Sequence, residues 1–176
     1  MASFLWYEIV TNSGLEQGDF FFSCRIPSFL PGTIAADEQE QVDIDLREYD
    51  IVIITQSCDL STSKVENVLV CPVFPVSDAE QWGEHFRTPK GKDDIRKGNV
   101  PGLHMLAGCD LDNFTAPIRV VSFRQTFSLP FHQVRMLAET TNPRLRLLPP
   151  YREHLAQAFA RFIMRVGLPV DIPSFK

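Results

Sequence analysis

The fold is decided by the stretch Ile51-Val-Ile-Ile-Thr-Gln-Ser-Cys-Asp-Leu60, in which four β-branched apolar residues give way abruptly to polar ones. A continuous apolar run of this length, bounded by turn residues, is typical of a buried strand. We predict a strand over 51–56 and a polar turn over 57–63. Because functional residues are often found where a rigid strand passes into a loop, Cys58 and Asp59 are the first candidates for chemistry.

Further strands are predicted on both sides of this stretch. Val42, Ile44 and Leu46 alternate with charged residues, the period-two pattern of a half-exposed strand. Pro72 lies within the strand predicted over 67–74 and indicates that this strand is at an edge of the sheet at that point, or bulged. Tyr151, Leu155, Phe159, Phe162 and Val166 recur at helical spacing behind Pro149 and Pro150, which predicts a C-terminal helix with a buried stripe. The other predicted strands are 4–10, 19–24, 67–74, 103–106, 118–123 and 144–147, and the other predicted helices are 78–87 and 131–139.

Length and composition indicate one ordered globular domain. The chain has 176 residues, is 44% hydrophobic and contains 14 Phe, enough for one well-buried core. We predict a mainly β protein with some α structure: a small antiparallel β-barrel over about 15–126, covered by a helical cap over about 131–176. The whole of residues 1–176 is treated as a single domain.

The sequence also bears on where the protein acts. It contains no apolar run approaching the roughly 20 residues that span a bilayer, and the N-terminal residues lack the pattern of a secretory signal. We therefore expect a cytoplasmic protein that does not enter a membrane. In that compartment its four Cys are expected to be reduced thiols or metal ligands rather than disulfides.

Charge is distributed unevenly along the chain. Residues 1–114 hold 8 Lys/Arg and 19 Asp/Glu, whereas residues 115–176 hold 9 and 3. One interpretation is that the two regions pair with each other inside one fold; the other is a basic face for nucleic acid or for an acidic protein partner. The cations proposed for that face are Arg144, Arg146, Arg152, Arg161 and Arg165.

The strand order resembles that of the PemK/MazF-like, or SH3-like, barrel. The resemblance covers roughly residues 15–75 and is carried by Gly18-Asp19-Phe-Phe-Phe, Asp50-Ile-Val-Ile-Ile-Thr-Gln-Ser57 and Val68-Leu-Val-Cys-Pro-Val73. It implies a nucleic-acid or toxin–antitoxin setting, since members with toxin activity are sequence-specific endoribonucleases, usually homodimeric and neutralised by an antitoxin.

The ribonuclease pattern of that family is altered in this sequence. Toxins carry an Arg immediately before the apolar strand and a Thr or Ser after the third strand. Here the nearest Arg is Arg47, and the first hydroxyl after Pro72 is Ser77. The enzymatic interpretation assigns phosphate binding and proton exchange to Arg47 with Thr55 or Ser77.

A second resemblance covers most of the chain. The Ser-Cys-Asp-Leu turn, the Leu-Leu-Pro-Pro-Tyr-Arg-Glu-His-Leu helix start and the Met-Arg-Val-Gly-Leu-Pro tail are similar to a family of uncharacterised bacterial proteins. It implies a bacterial or phage-defence setting and no particular activity.

Two further hypotheses concern the cysteines. Cys24, Cys58 and Cys71 follow or end predicted strands and could converge with His104 or Cys109 on a structural zinc ion, although no CxxC spacing is present; alternatively they are small buried apolar residues. Cys58 could also be the nucleophile of a hydrolase, with Asp59 orienting a histidine. The competing interpretation is that Ser57 and Asp59 simply stabilise a turn.

Together these observations predict a module that binds nucleic acid or a protein partner, with an endoribonuclease or a Cys58-dependent hydrolase as the alternatives.

Overall fold

The computed structural model describes residues 5–29, 44–111 and 114–164. Ten strands lie in these ranges: β1 Tyr7–Val10, β2 Phe20–Phe29, β3 Ile44–Ile53, β4 Asn67–Pro75, β5 Leu103–Leu106, β6 Cys109–Leu111, β7 Phe114–Ala116, β8 Arg119–Ser122, β9 Phe127–Pro130 and β10 Arg144–Leu147. The helices are α1 Ser57–Ser61, α2 Val76–Ala79, α3 Glu84–Arg87, α4 Pro89–Arg96, α5 Phe131–Thr140 and α6 Tyr151–Ile163, with a 3₁₀ turn at Glu80–Trp82. The protein is therefore mainly β with helices, as predicted.

The central sheet has six antiparallel strands. Its order is β2-β3-β4-β8-β5, and β9 pairs with the first half of β4. Two smaller antiparallel sheets, β1-β10 and β6-β7, complete the β structure. Within the described residues no strand pairing closes the central sheet into a barrel, so the structure supports the antiparallel sheet and leaves the barrel as a proposal.

Strand β3 is buried on both faces over its second half, which explains its continuous run of apolar residues. Ile51 and Ile53 belong to one hydrophobic cluster, which includes Val134 of α5. Val52 and Ile54 belong to a second hydrophobic cluster, which includes Leu155 of α6. The two helices thus cover opposite faces of the sheet, and α6 is the helix that begins after Pro150, as predicted.

Strand β4 explains why a proline is tolerated inside the sheet. One side of β4 pairs with β3, where Ile51 faces Pro72. The other side pairs with β9 over Asn67–Val70 and with β8 from Val73 onward, so Pro72 lies at the change between partners. Pro72 therefore does not lie in an edge strand but at a local gap in pairing. Its missing N–H interrupts no continuous ladder of hydrogen bonds there.

Three other expectations need correction. Residues 44–53 form one strand rather than two, because Glu48, Tyr49 and Asp50 continue the pairing with β2. The turn predicted over 57–63 contains α1, and the turn-rich segment after Gly108 forms the β6–β7 hairpin. Several of the residues used in the sequence analysis lie outside the described ranges. They are Arg165, Val166, the tail 168–173, residues 42–43 of the alternating strand and the acidic residues between 37 and 43.

None of the described helices is both long and apolar enough to cross a membrane.

Candidate functional site

The polar residues that follow β3 have structural partners. The hydroxyl of Thr55 accepts a hydrogen bond from the Leu69 N–H at 2.7 Å, and that of Ser57 accepts one from the Gln17 N–H at 3.1 Å. The carbonyl of Cys58 accepts bonds from the hydroxyls of Ser61 and Thr62, at 3.1 and 2.8 Å. These contacts favour the interpretation of this segment as a stabilised turn.

Cys58 lies at the edge of an open groove of about 530 Å³ between the 12–16 loop, α1 and α5. It is the exposed cysteine of the chain, whereas Cys24, Cys71 and Cys109 are buried. Among the described residues that line the groove, none is a histidine. A hydrolase thiol needs a general base, and Asp59 has no histidine to orient here. Arg135, the cation that lines the groove, pairs with Glu139, so the groove offers little support for a hydrolase.

The proposed ribonuclease residues are far apart. Arg47 and Thr55 lie eight positions apart along and just beyond β3, and an extended chain rises about 3.3 Å per residue, a separation of about 26 Å. The guanidinium of Arg47 contacts Asp45 at 3.1 Å, and Ser77 lies on α2 with its hydroxyl directed to Asp78. The structure therefore does not assemble these three residues on one phosphate.

The four proposed zinc ligands are not gathered either. Cys24 and Cys71 belong to different hydrophobic clusters, Cys58 is on α1, and His104 is on β5. In the described ranges no group of three or more His, Cys, Asp or Glu is arranged to hold a metal ion. Burial raises the pKa of the Cys24 and Cys71 thiols to about 11, which keeps both neutral at physiological pH. These cysteines behave as small apolar residues.

Arg144 and Arg146 are buried rather than presented on a basic face. Their exposed fractions are 0% and 5%. Asp19 accepts from Nε of Arg144 at 3.1 Å, and from Nε and Nη2 of Arg146 at 2.5 and 3.0 Å. Sequence alternation placed both side chains on one face of β10 correctly, but that face turns inward onto the 14–19 segment.

The same network continues to Arg152. Glu16 accepts from Arg146 at 2.6 Å and from Nη1 of Arg152 at 2.8 Å, and Arg152 also contacts Glu153. Asp19 and Glu16 come from the acidic part of the sequence and the three arginines from the basic part. Internal pairing therefore accounts for these three of the five proposed cations, and of the other two only Arg161 is in the described part of the chain.

Arg161 belongs to a cleft between α6 and β5. Tyr151, His154, Ala158 and Arg161 repeat along one face of α6, and His104 on β5 lies opposite them. The cleft has two cavities that share His104 as a wall. The wider cavity, about 450 Å³, is lined by Trp6, Arg96, His104, Met105, Leu106, Ala107, Ile118, Tyr151 and His154. The narrower one, about 190 Å³, extends to Phe123, Arg161 and Phe162.

Aromatic rings follow the length of this cleft. Trp6 and Tyr151 are stacked with their centroids 3.5 Å apart at 7°. His104 stacks on Phe123 at 6.2 Å, and Phe123 in turn meets the rings of Phe159 and Phe162. Trp6 and Tyr151 are partly buried and present aromatic surface to the cleft, whereas Phe123 is buried in the core beside it.

The cleft is also cationic. Its lining includes the guanidinium groups of Arg96 and Arg161 and contains no carboxylate among the described residues. The guanidinium of Arg124 is close by, since it donates to the Pro101 carbonyl at 3.3 Å beside the narrower cavity. The nearest carboxylate with a defined contact is Asp93, which pairs with Arg96 at 2.5 Å just outside the wider cavity.

His104 is neutral at physiological pH. Burial, together with a smaller effect of the neighbouring His154, lowers the pKa of its imidazole to about 4. A neutral imidazole in the middle of the cleft can both donate and accept a hydrogen bond, which suits recognition of a base edge.

No protein-family model matches this sequence, and no curated protein matches it in a sequence search. The assignment of the site therefore depends on its geometry and charge.

Sequence analysis did not single out Trp6, and it assigned Tyr151 to the core, against which that ring does pack. A signal was present on α6, where His154, Ala158 and Arg161 follow Tyr151 by three, seven and ten residues. This spacing places them on one face of the helix, beside the buried stripe that contains Leu155. The contribution of β5 and of the N-terminal Trp6 is a tertiary contact with no local signature.

Proposed function

We propose that this protein is a single-stranded nucleic-acid-binding module, and that the strand lies in the cleft between β5 and α6. The observation that carries the proposal is the combination of aromatic rings and cations along a cleft whose described lining contains no carboxylate. Proteins that bind single strands combine a positive groove for the backbone with flat rings on which bases stack. This proposal retains nucleic-acid binding but moves it from Arg144 and Arg146 to Arg161 and its neighbours.

Each group in the cleft has a defined role in this proposal. Arg161 and Arg124 neutralise backbone phosphates, which makes the affinity depend on salt. The partly buried Trp6–Tyr151 pair offers a surface for stacking, worth about 1–3 kcal/mol per base. His104 hydrogen-bonds to a base without adding charge.

We also propose that the six-stranded antiparallel sheet is a variant of the SH3-like barrel of the PemK/MazF type, with α6 as its C-terminal cap. The antiparallel β2-β3-β4 order and the approach of β10 to Gly18 and Asp19 support this. A bacterial toxin–antitoxin or phage-defence setting, and a cytoplasmic location, remain predictions from the resemblance.

The binding proposal is tested with a labelled 12-nucleotide RNA and the DNA of the same sequence. Arg124→Ala with Arg161→Ala is expected to weaken binding about tenfold or more and to reduce the salt slope by about 2. The matched control, Arg47→Ala with Arg135→Ala, removes two exposed arginines away from the cleft and should leave affinity near wild type. Equal losses in the two double variants would show that binding is not localised to the cleft.

A second candidate is binding to a protein partner, including a second copy of the chain. Ile44 and Leu46 are 58% and 60% exposed on one face of β3. Their cross-strand partners on β2 are Phe29 and Pro27. Native mass of the wild type and of Ile44→Thr with Leu46→Thr tests the homodimer. A dimer that is lost in the variant supports this face as the interface, whereas a monomer in both eliminates the homodimer.

A further inference from the structure

The wider cavity of the cleft has the properties of a small-molecule site. Its volume of about 450 Å³ lies within the roughly 300–1,000 Å³ typical of ligand pockets. Its apolar wall is formed by Met105, Leu106, Ala107 and Ile118, and its polar groups are Arg96, the two histidines and the polar ends of Trp6 and Tyr151. An apolar interior with few polar groups orients a ligand that is itself apolar at one end and charged at the other.

The stacked rings favour a planar ligand. Trp6 and Tyr151 are parallel and both line the cavity, and His154 meets Tyr151 edge-on at 6.1 Å and 82°. A flat heteroaromatic group inserted here would contact Tyr151 or Trp6 and the neutral imidazole of His104.

Arg96 determines the charge of the ligand. Its guanidinium pairs with Asp93 at 2.5 Å, but the Arg96 side chain is 63% exposed and exposed ion pairs contribute little. A phosphate can therefore compete with Asp93 for Arg96, because a guanidinium binds phosphate in a bidentate geometry. Asp93 is the carboxylate that a bound phosphate would have to displace, since it accepts from both Nε and Nη2 of Arg96.

We infer that this cavity binds one nucleoside monophosphate unit, with its base among Trp6, Tyr151 and His104 and its phosphate at Arg96. The unit is either a free nucleotide or a nucleotide within a strand. This inference deepens the proposed function and rests on it, because it names the subsite at which the strand is read most closely.

Fluorescence of Trp6 tests the inference directly. The chain contains two tryptophans, so Trp82→Phe leaves Trp6 as the single reporter, and Trp82 packs against Phe74 away from the cleft. In this background AMP is expected to change Trp6 emission saturably, adenosine to bind more weakly, and inorganic phosphate to cause no change. Arg96→Ala should weaken AMP binding about tenfold, because it removes the charge-assisted hydrogen bonds to the phosphate, whereas Arg135→Ala should not.

Parallel titrations with the 12-nucleotide RNA separate this inference from the proposed function. If the RNA binds but neither the RNA nor AMP alters Trp6 emission, the nucleotide subsite is refuted and the binding function stands. If AMP binds and the RNA does not, the subsite stands for a free nucleotide and the single-strand function is refuted. If neither binds, both are refuted. Binding of both, with Arg96 required for AMP, supports both.

Discussion

Asp19 and Arg146 face each other twice, once as partners in an isolated antiparallel β-bridge and once through their side chains, with Nε of Arg146 2.5 Å from Oδ1 of Asp19. The Asp19 side chain is fully buried and also receives Nε of Arg144. The Gly18-Asp19 strand opening therefore connects the central sheet to β10 by a backbone contact and a buried charge cluster.

Asp19→Asn is expected to destabilise the protein by about 3–5 kcal/mol. The substitution preserves size but leaves Arg144 and Arg146 buried without their shared carboxylate, and an uncompensated buried charge is costly. Glu16→Gln serves as the control, because that side chain is partly exposed and its loss should cost about 1 kcal/mol or less. Urea denaturation measures both, and a stable Asp19→Asn protein would contradict this role of the network.

Stability should fall as the pH decreases from about 6.5 to about 4. The pKa of His104 is lowered to about 4 in the folded protein from an ordinary value of 6.5, so the unfolded chain binds more protons in this window. The contribution is fully present above pH 6.5 and lost progressively below it, and a shift of this size corresponds to at most about 3 kcal/mol.

Denaturation at pH 7 and pH 5 measures this effect, with His104→Gln as the comparison. The variant should show a smaller loss of stability between the two pH values than the wild type. An identical loss in both proteins would mean that other groups are responsible for the acid sensitivity.

One thiol should react rapidly in the native protein. Cys58 is exposed, whereas Cys24, Cys71 and Cys109 are buried and burial raises the pKa of each of their thiols. A thiol-specific reagent at pH 7.5 should label one equivalent quickly, and Cys58→Ser should abolish that fast phase. Two or more fast equivalents in wild type would show that the buried cysteines become accessible in the native state.

Chelator-free protein should have the native mass of the polypeptide alone. Cys24, Cys58, Cys71 and His104 lie on separate elements and in different environments, so they cannot share one tetrahedral ion. An excess equal to one zinc ion per chain, lost in Cys24→Ser, would contradict this conclusion.

Much of the fold followed from local patterns in the sequence. The buried strand, the strand at Leu103–Leu106, the strand at Arg144–Leu147 and the helices α5 and α6 were all predicted, because each has a periodicity or a run that its own residues define. Pro72 was placed at an edge because the sequence does not show that β4 changes partners there. The β6–β7 hairpin was missed because its strands are short and rich in turn-forming residues.

The site was less accessible to sequence analysis. Alternation showed that Arg144 and Arg146 share a face, but whether that face meets water or Asp19 depends on a contact across more than 120 positions. The cleft likewise requires Trp6, His104 and α6 to meet. The uneven charge along the chain did correspond to a feature of the fold. Acidic residues of the first part pair with arginines of the last part inside the protein, rather than leaving those arginines on a basic surface.

Photocrosslinking tests the central claim most directly. A 12-nucleotide RNA with 4-thiouridine at every third position, irradiated with the wild-type protein and mapped by mass spectrometry, should form adducts at cleft residues such as Trp6 or Tyr151. The adducts at Trp6 and Tyr151, the two partly buried rings of the cleft, should fade in Arg124→Ala with Arg161→Ala. Adducts concentrated at the Cys58 groove or at Ile44 and Leu46, with the cleft unmodified, would contradict the assignment of the cleft as the nucleic-acid site.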